Sequence, residues 1–258
     1  MSGSLTKTLA ACLICLPAVS FAEDTVDKAN NPLHLATSFS LQDYYTPSLY
    51  DSDQHTNDML LRATVPVAGG DLIPVPQILR LTAPISTRPQ ISGGYKTGLG
   101  DINLFDIFLV KQEGVMLGIG PLITANSAES EELGTGKWQT GLAAVAVDSS
   151  PKWLKVGLVQ WQKSFAGENE RDSVESTTFQ PFIIYKMSKG WFLRSSGIWT
   201  LNVKNEDYYI PAGLGVGRAM PVGNYIVNSF VEPQWTVAHS GDYQPQFTVY
   251  AGFSIMLK

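Results

Sequence analysis

Ten residues carry what chemistry this sequence can do: Arg62, Arg80, Asp106, Gln180, Phe182, Arg194, Asn228, Phe230, Glu232 and Gln234. Each sits in a stretch that alternates apolar with small or polar residues, the period of two of a pleated strand. Charges of both signs among amides and rings have two uses. They line a path that selects solutes by charge and shape, or they pair into an internal network that holds a wall, which is the commoner outcome. Arg62 and Arg80 fall on neighbouring strands and repel unless a carboxylate intervenes. Asp106, one strand further on, is the expected neutraliser.

Catalytic and metal-binding patterns are thinner. Of the three histidines, His34, His55 and His239, only His239 approaches a triad composition, with Ser240 and Asp242 nearby. Adjacent residues on a strand point to opposite faces, so His239 and Ser240 are poorly placed as base and nucleophile. No catalytic residue is expected. Tyr50-Asp51-Ser52-Asp53 with Asp58, and Glu129-Ser130-Glu131-Glu132, are acidic enough to meet divalent ions or lipopolysaccharide. They fall short of a calcium-loop pattern, and no metal or cofactor is expected.

The elements that must position these residues begin after an export signal. Lys7 precedes an apolar run from Leu9 to Phe21 that ends Ser20-Phe21-Ala22, small at the two positions a signal peptidase reads. Cys12 and Cys15 leave with it, so the mature chain has no thiol chemistry. Leu9-Ala10-Ala11-Cys12 looks like a lipoprotein box but leaves almost no apolar run before the cysteine. The domain reading is a cleaved signal peptide over 1–22, a periplasmic N-terminal tail over 23–32, and a β-barrel over 33–258. A formal net charge of −5 gives no basic footprint for nucleic acid. After Ala22 no apolar run approaches the roughly 20 residues of a spanning helix.

Twelve strands are predicted: Leu33–Tyr45, Asp58–Ala68, Pro76–Ile85, Gly100–Gln112, Val115–Ala125, Trp138–Asp148, Trp153–Ser164, Thr177–Met187, Trp191–Asn202, Asp207–Met220, Tyr225–Ala238 and Gln246–Leu257. They are longer than the five or six residues usual in soluble sheets and suit tilted strands crossing a bilayer. No segment shows helical periodicity. Long polar connections (Thr46–Asn57, Ser86–Leu99, Asn126–Lys137, Phe165–Ser176) alternate with short turns, the asymmetry of outer-membrane barrels. Val203–Glu206 is a short exception. Trp153, Trp191 and Tyr225 near one rim, and Trp138, Trp199, Tyr208, Tyr209 and Trp235 near the other, suit two aromatic girdles. In the last strand Phe247, Val249, Ala251, Phe253, Ile255 and Leu257 share one apolar face. In the first, Leu33, Leu35, Phe39 and Leu41 do the same. Pairing the two removes both sheet edges, which a membrane demands because unpaired backbone groups find no water there. The fold class is therefore all-β: a transmembrane antiparallel up-and-down barrel of about twelve strands.

Parity assigns faces. Met59, Leu61, Ala63 and Val65 face outward, which turns Arg62 and Thr64 inward. Leu79, Leu81 and Ala83 do the same for Arg80. A basic side chain facing lipid at the midplane costs roughly 2–4 kcal/mol, so every mid-strand charge is read as inward. By that rule Asp106, Gln180, Arg194, Asn228, Glu232 and Gln234 line the lumen, joined by Leu104, Phe108, Phe182, Ile184, Ile198 and Phe230. Asp101 and Asp106 have opposite parity, so one of them is at the rim or the strand carries a bulge near Asn103. Gly118, Gly120, Gly213, Gly215 and Gly217 relieve crowding on the inner wall. The expected cylinder is apolar outside and polar inside.

Several motifs in series carry a family resemblance: Leu60-Leu61-Arg62-Ala63-Thr64-Val65-Pro66, Thr97-Gly98-Leu99-Gly100-Asp101, Gly118-Ile119-Gly120-Pro121, Leu133-Gly134-Thr135-Gly136-Lys137-Trp138-Gln139-Thr140-Gly141, Ser164-Phe165-Ala166-Gly167, Phe179-Gln180-Pro181-Phe182 and Ile210-Pro211-Ala212-Gly213-Leu214-Gly215-Val216-Gly217. From Met59 onward the chain resembles the bacterial outer-membrane transporters assigned to the MetA pathway of phenol degradation, sometimes mislabelled neuromedin U. It departs from them at Ile123-Thr124-Ala125. The resemblance implies a barrel and passage of small, aromatic compounds. The expectation is an exported outer-membrane channel, not an enzyme, for small aromatic or amphipathic solutes. Its expected partners are the lipid bilayer, lipopolysaccharide, the outer-membrane assembly machinery and a small solute. The alternatives are a plugged scaffold with recognition or adhesion loops and, behind it, a lipid hydrolase.

Overall fold

Alternation of outward apolar and inward small or polar residues suits a sheet with two different environments, and closing the sheet gives each face only one of them. The computed structural model describes residues 18–258, so most of the expected export signal, with both cysteines, lies outside the described residues. The chain forms a closed antiparallel barrel of 12 strands. The strand segments are β1 (Ser38–Leu49), β2 (Thr56–Val67), β3 (Gln77–Pro89), β4 (Tyr95–Leu99), β5 (Asn103–Lys111), β6 (Met116–Thr124), β7 (Lys137–Ser149), β8 (Trp153–Gly167), β9 (Glu175–Lys186), β10 (Trp191–Ser195), β11 (Trp199–Asn202), β12 (Tyr208–Gly213), β13 (Gly215–Val222), β14 (Tyr225–Ser240) and β15 (Pro245–Leu257). Three of the twelve are each interrupted once: β4 with β5, β10 with β11, and β12 with β13. The barrel closes where β1 pairs β15, Leu41 opposite Phe253 and Phe39 opposite Ile255.

Outward residues behave as the alternation requires. Leu41, Leu61, Leu81, Val159 and Phe253 are exposed, as are Trp153, Trp191 and Tyr225 at one rim and Trp138, Trp199, Tyr208 and Trp235 at the other. Several strands run further toward the long-loop rim than predicted. The expected loop Ser86–Leu99 is mostly a β3–β4 ladder, with Pro89 opposite Tyr95. Residues 125–136 form the longest irregular connection in the barrel. Asp101 organises it, accepting hydrogen bonds from the backbone amides of Ser127, Ala128 and Thr135 and from Thr135 Oγ1.

Two features differ from the sequence expectation. The stretch read as a periplasmic tail is a helix, α1 (Ala18–Asn30), seated inside the barrel at the short-turn rim. Asp24 and Lys28 pair one turn apart at 2.7 Å, Lys28 sits in the last turn, and Asn31-Pro32 stops the helix. Beyond it Leu33, read as outward on the first strand, is buried inside the barrel, and strand structure begins only at Ser38. Val26 and Leu33 join one apolar cluster with Ile107, Val145, Leu154, Ile184 and Phe192 from the wall. On the side where α1 meets the wall, the lower lumen is therefore a packed apolar core. Burying each of these two side chains contributes about 1.5–3 kcal/mol.

The inward glycines make room for particular neighbours. A Cβ on Gly118 would come within 3.0 Å of Leu33 and 3.1 Å of Val145, and one on Gly217 would overlap the Phe192 ring and approach Ser229 O to 2.7 Å. Gly217→Val is therefore expected to destabilise the barrel by about 1–3 kcal/mol. Gly157→Ala, whose Cβ meets only Phe179 at 3.6 Å, is expected to be neutral. Urea titration of the folded, fast-migrating form on unboiled gels reads the difference.

Candidate functional site

Two clusters of inward side chains occupy the middle of the lumen. The first centres on Glu232, fully buried on β14. Its carboxylate accepts bonds from Arg194 Nε at 2.8 Å, Ser196 N at 2.8 Å, Ser196 Oγ at 2.7 Å and Gln234 Nε2 at 3.0 Å. Arg194 also donates to Ser196 Oγ, and its guanidinium carbon lies 3.5 Å from the Phe230 ring centre, 5.0 Å from Phe182 and 5.2 Å from Tyr250. Gln180 donates to Ser196 O at 3.1 Å.

The local sequence explains how these groups meet. Arg194 and Glu232 are on strands separated by the β12–β13 strand, which would normally place a side chain between them. That strand presents Gly213, Gly215 and Gly217 inward, and a Cβ on Gly213 or Gly215 would press on Glu232. The β10–β11 interruption falls at Ser196–Ile198 because the Ser196 amide turns from the ladder to the Glu232 carboxylate. Paired, and with each Glu232 oxygen accepting two hydrogen bonds, this ion pair meets the conditions for burying charge.

The second cluster is Arg62 on β2 and Arg80 on β3. Arg62 donates to Gln42 Oε1 at 2.6 Å, and its Nε has no partner among the described residues. Arg80 donates to Thr64 Oγ1 at 3.3 Å and lies 4.9 Å above the Phe105 ring. Tyr44 stacks on Tyr250 with ring centres 4.0 Å apart. Among the described residues neither arginine makes an ion pair.

Asp106 does not neutralise them. Register places it opposite Leu79, on the outer face, while Phe105 opposite Arg80 points inward with Ile107 and Leu109. Leu104 and Phe108 therefore face outward as well, contrary to the parity reading. The cause is a one-residue slip between the Ile85–Leu99 and Thr82–Asn103 pairs, at Gly100–Ile102. This is the bulge that the opposite parity of Asp101 and Asp106 raised. Inside, Ile107 packs against the apolar floor that α1 completes, so the inner face of β5 has apolar partners. Asp43 also lies on the outer face, between Leu41 and Tyr45. An outward Asp costs less than an outward Arg or Lys, so the charge rule holds weakly for acids.

The other predicted residues are where parity put them: Gln180, Phe182, Asn228, Phe230 and Gln234 all point inward. A cavity of about 160 Å³ lies above the C-terminal end of α1, bounded by Arg62, Arg80, Arg194, Gln180, Asn228 and Tyr250. A larger cleft of about 1070 Å³ opens at the short-turn rim beside α1. Lys28, His34, Ala36 and Met256 line both.

Sequence reasoning missed what holds α1. Lys186, inward at the foot of β9, donates to Asp27 Oδ1 at 2.7 Å, Ser149 Oγ at 3.1 Å and Ser150 O at 2.9 Å. Ser149 Oγ also bonds Asp27. Asn228 Nδ2 donates to Asn30 Oδ1 at 3.2 Å. The inward parity of Lys186 was readable; its partner in a supposed tail was not. Far from this site, His239 stacks on Tyr50 with ring centres 3.7 Å apart.

No family model matches the sequence, and no curated protein matches it. Solved structures do. An outer membrane channel from Pseudomonas putida F1 superposes with a TM-score of 0.64 at 15% identity, over 87% of this chain and 97% of that one. The NanC porin superposes with a TM-score of 0.57 at 7% identity, over 85% and 99%. At these identities the likeness shows the fold.

Removing the Glu232 charge leaves Arg194 buried without its counter-ion. Glu232→Gln is expected to cost about 3–5 kcal/mol, and Glu232→Gln with Arg194→Met clearly less than the two single changes added. A double-mutant cycle on urea midpoints checks this. His34, between α1 and β1, has its pKa held below the ordinary 6.5, first by burial and then by Lys28, with Asp27 and Asp24 pulling the other way. A depressed base favours the folded form above pH 6.5 and loses that contribution as the pH falls. Limited proteolysis within α1 is expected to speed up between pH 7 and pH 5, and His34→Gln to flatten the profile.

Proposed function

We propose that this chain is an outer-membrane channel for passive passage of small amphipathic solutes, aromatic ones included. The observation that carries the reading is the space left open beside α1. The central cavity and the rim cleft share four lining residues, so the helix narrows the cross-section without filling it. The two superposed structures, described as an outer membrane channel and a porin, support it. The lining supports the solute class, since Phe182, Phe230 and Tyr250 stand beside arginines and amides. The motif series from Met59 onward supports a place among transporters of aromatic degradation. In this reading the short-turn rim and α1 face the periplasm, and the mature chain begins at Glu23.

A second reading has an observation of its own. The apolar floor built by Val26 and Leu33 suits a sealed scaffold that works through its loops. Planar-bilayer recording separates the two. The channel reading expects discrete small steps, and Asp27→Asn, which frees Lys186 from its carboxylate, should enlarge them or make them noisier. Flat records from wild type and variant would leave the scaffold. In liposome swelling, phenolic acids are expected to enter faster than sugars of similar size, and equal rates would remove the aromatic preference.

A further inference from the structure

The overall charge of the chain is negative, at −5, yet the central cavity has the opposite character. Among its described lining residues are Lys28, Arg62, Arg80 and Arg194, and no aspartate or glutamate. Two of the four cations are accounted for, Lys28 by Asp24 at 2.7 Å and Arg194 by Glu232 at 2.8 Å. Arg62 and Arg80 are not. Their partners are a neutral amide oxygen, a hydroxyl and an aromatic face, and Arg62 Nε is buried without a partner among the described residues. The acid that would have balanced them, Asp106, is on the other side of the wall. Two guanidinium groups on adjacent strands, half-buried and sharing no carboxylate, repel each other. An anion between them relieves the repulsion and supplies acceptors for the unused N–H groups, in the two-pronged geometry that guanidinium offers a carboxylate.

The remaining walls limit the size and kind of anion. The space is about 160 Å³, close to the roughly 150 Å³ of a cavity that admits benzene. Tyr250 and Phe230 meet edge to face at 4.8 Å on one side, and Phe105 underlies Arg80. We infer that Arg62 and Arg80 form a binding site for the carboxylate of a small monocyclic organic anion, whose ring lies against Tyr250 and Phe230. The inference rests on the channel reading for its purpose, since a site in mid-lumen is a station for a passing solute. Its chemistry stands without it.

Calorimetric titration of the full-length barrel in non-ionic detergent tests it, with benzoate as the probe and benzamide and inorganic phosphate as comparators. Wild type should bind benzoate at one site, with affinity falling as salt is raised. Benzamide, its neutral counterpart, should bind about tenfold or more weakly. Arg62→Gln and Arg80→Gln should each lose benzoate binding, and Arg62→Lys should retain part of it. Equal binding of benzamide and benzoate to wild type would overturn the site without recourse to a variant. So would unchanged benzoate affinity in the folded Arg62→Gln/Arg80→Gln protein. Phosphate binding as tight as benzoate would overturn the organic anion. Benzoate binding without conductance steps would remove the channel and keep the site. Steps without benzoate binding would do the reverse.

Discussion

The pairing of β1 with β15 is the contact on which everything else depends. A sheet this long has two edges, and each edge exposes a row of amides and carbonyls that must find partners. Joining first strand to last satisfies them all within the chain and creates an inside. Once there is an inside, each inward side chain faces others across a narrow space rather than open solvent. Every question about function then becomes one about what fills that space.

Two different solutions fill it. Toward the short-turn rim the chain folds its own N-terminal segment into the barrel. Val26 and Leu33 there turn Ile107, Val145, Leu154 and Ile184 into an ordinary apolar core, and Asp27 meets the inward ammonium of Lys186. Higher up no segment is available, and the wall supplies polar groups instead. One set closes on itself around Glu232, with four donors on one carboxylate. The other, Arg62 and Arg80, is left open. That contrast between a satisfied and an unsatisfied cationic cluster, within one lumen, is what gives the cavity chemical character.

Strand number, order, closure and the assignment of most faces were legible because a half-buried strand writes its environment into every second residue. β2, β3, β14 and β15 show this plainly, and Arg62, Arg80, Glu232 and Gln234 were placed correctly from parity alone. β5 failed because both its faces are apolar, Leu104 and Phe108 against Phe105 and Ile107, so alternation carried no contrast. The sole cue was Asp106, and a cost rule suited to basic residues decided it wrongly. A slip of one residue at Gly100–Ile102 was enough to reverse the strand.

The sequence by itself determined the architecture: a closed, twelve-stranded wall with a greasy exterior, and most of the residues that line it. Those are local properties, repeated every two residues and readable strand by strand. The tertiary structure alone decided what the lining does. Whether Glu232 reaches Arg194 depends on two glycines, Gly213 and Gly215, in an intervening strand. How much of the lower lumen stays open depends on a helix from the far end of the chain, and whether two arginines are neutralised depends on which way one aspartate turns. Each is a meeting of residues distant in sequence across an enclosed space, and no periodicity along a single strand records it.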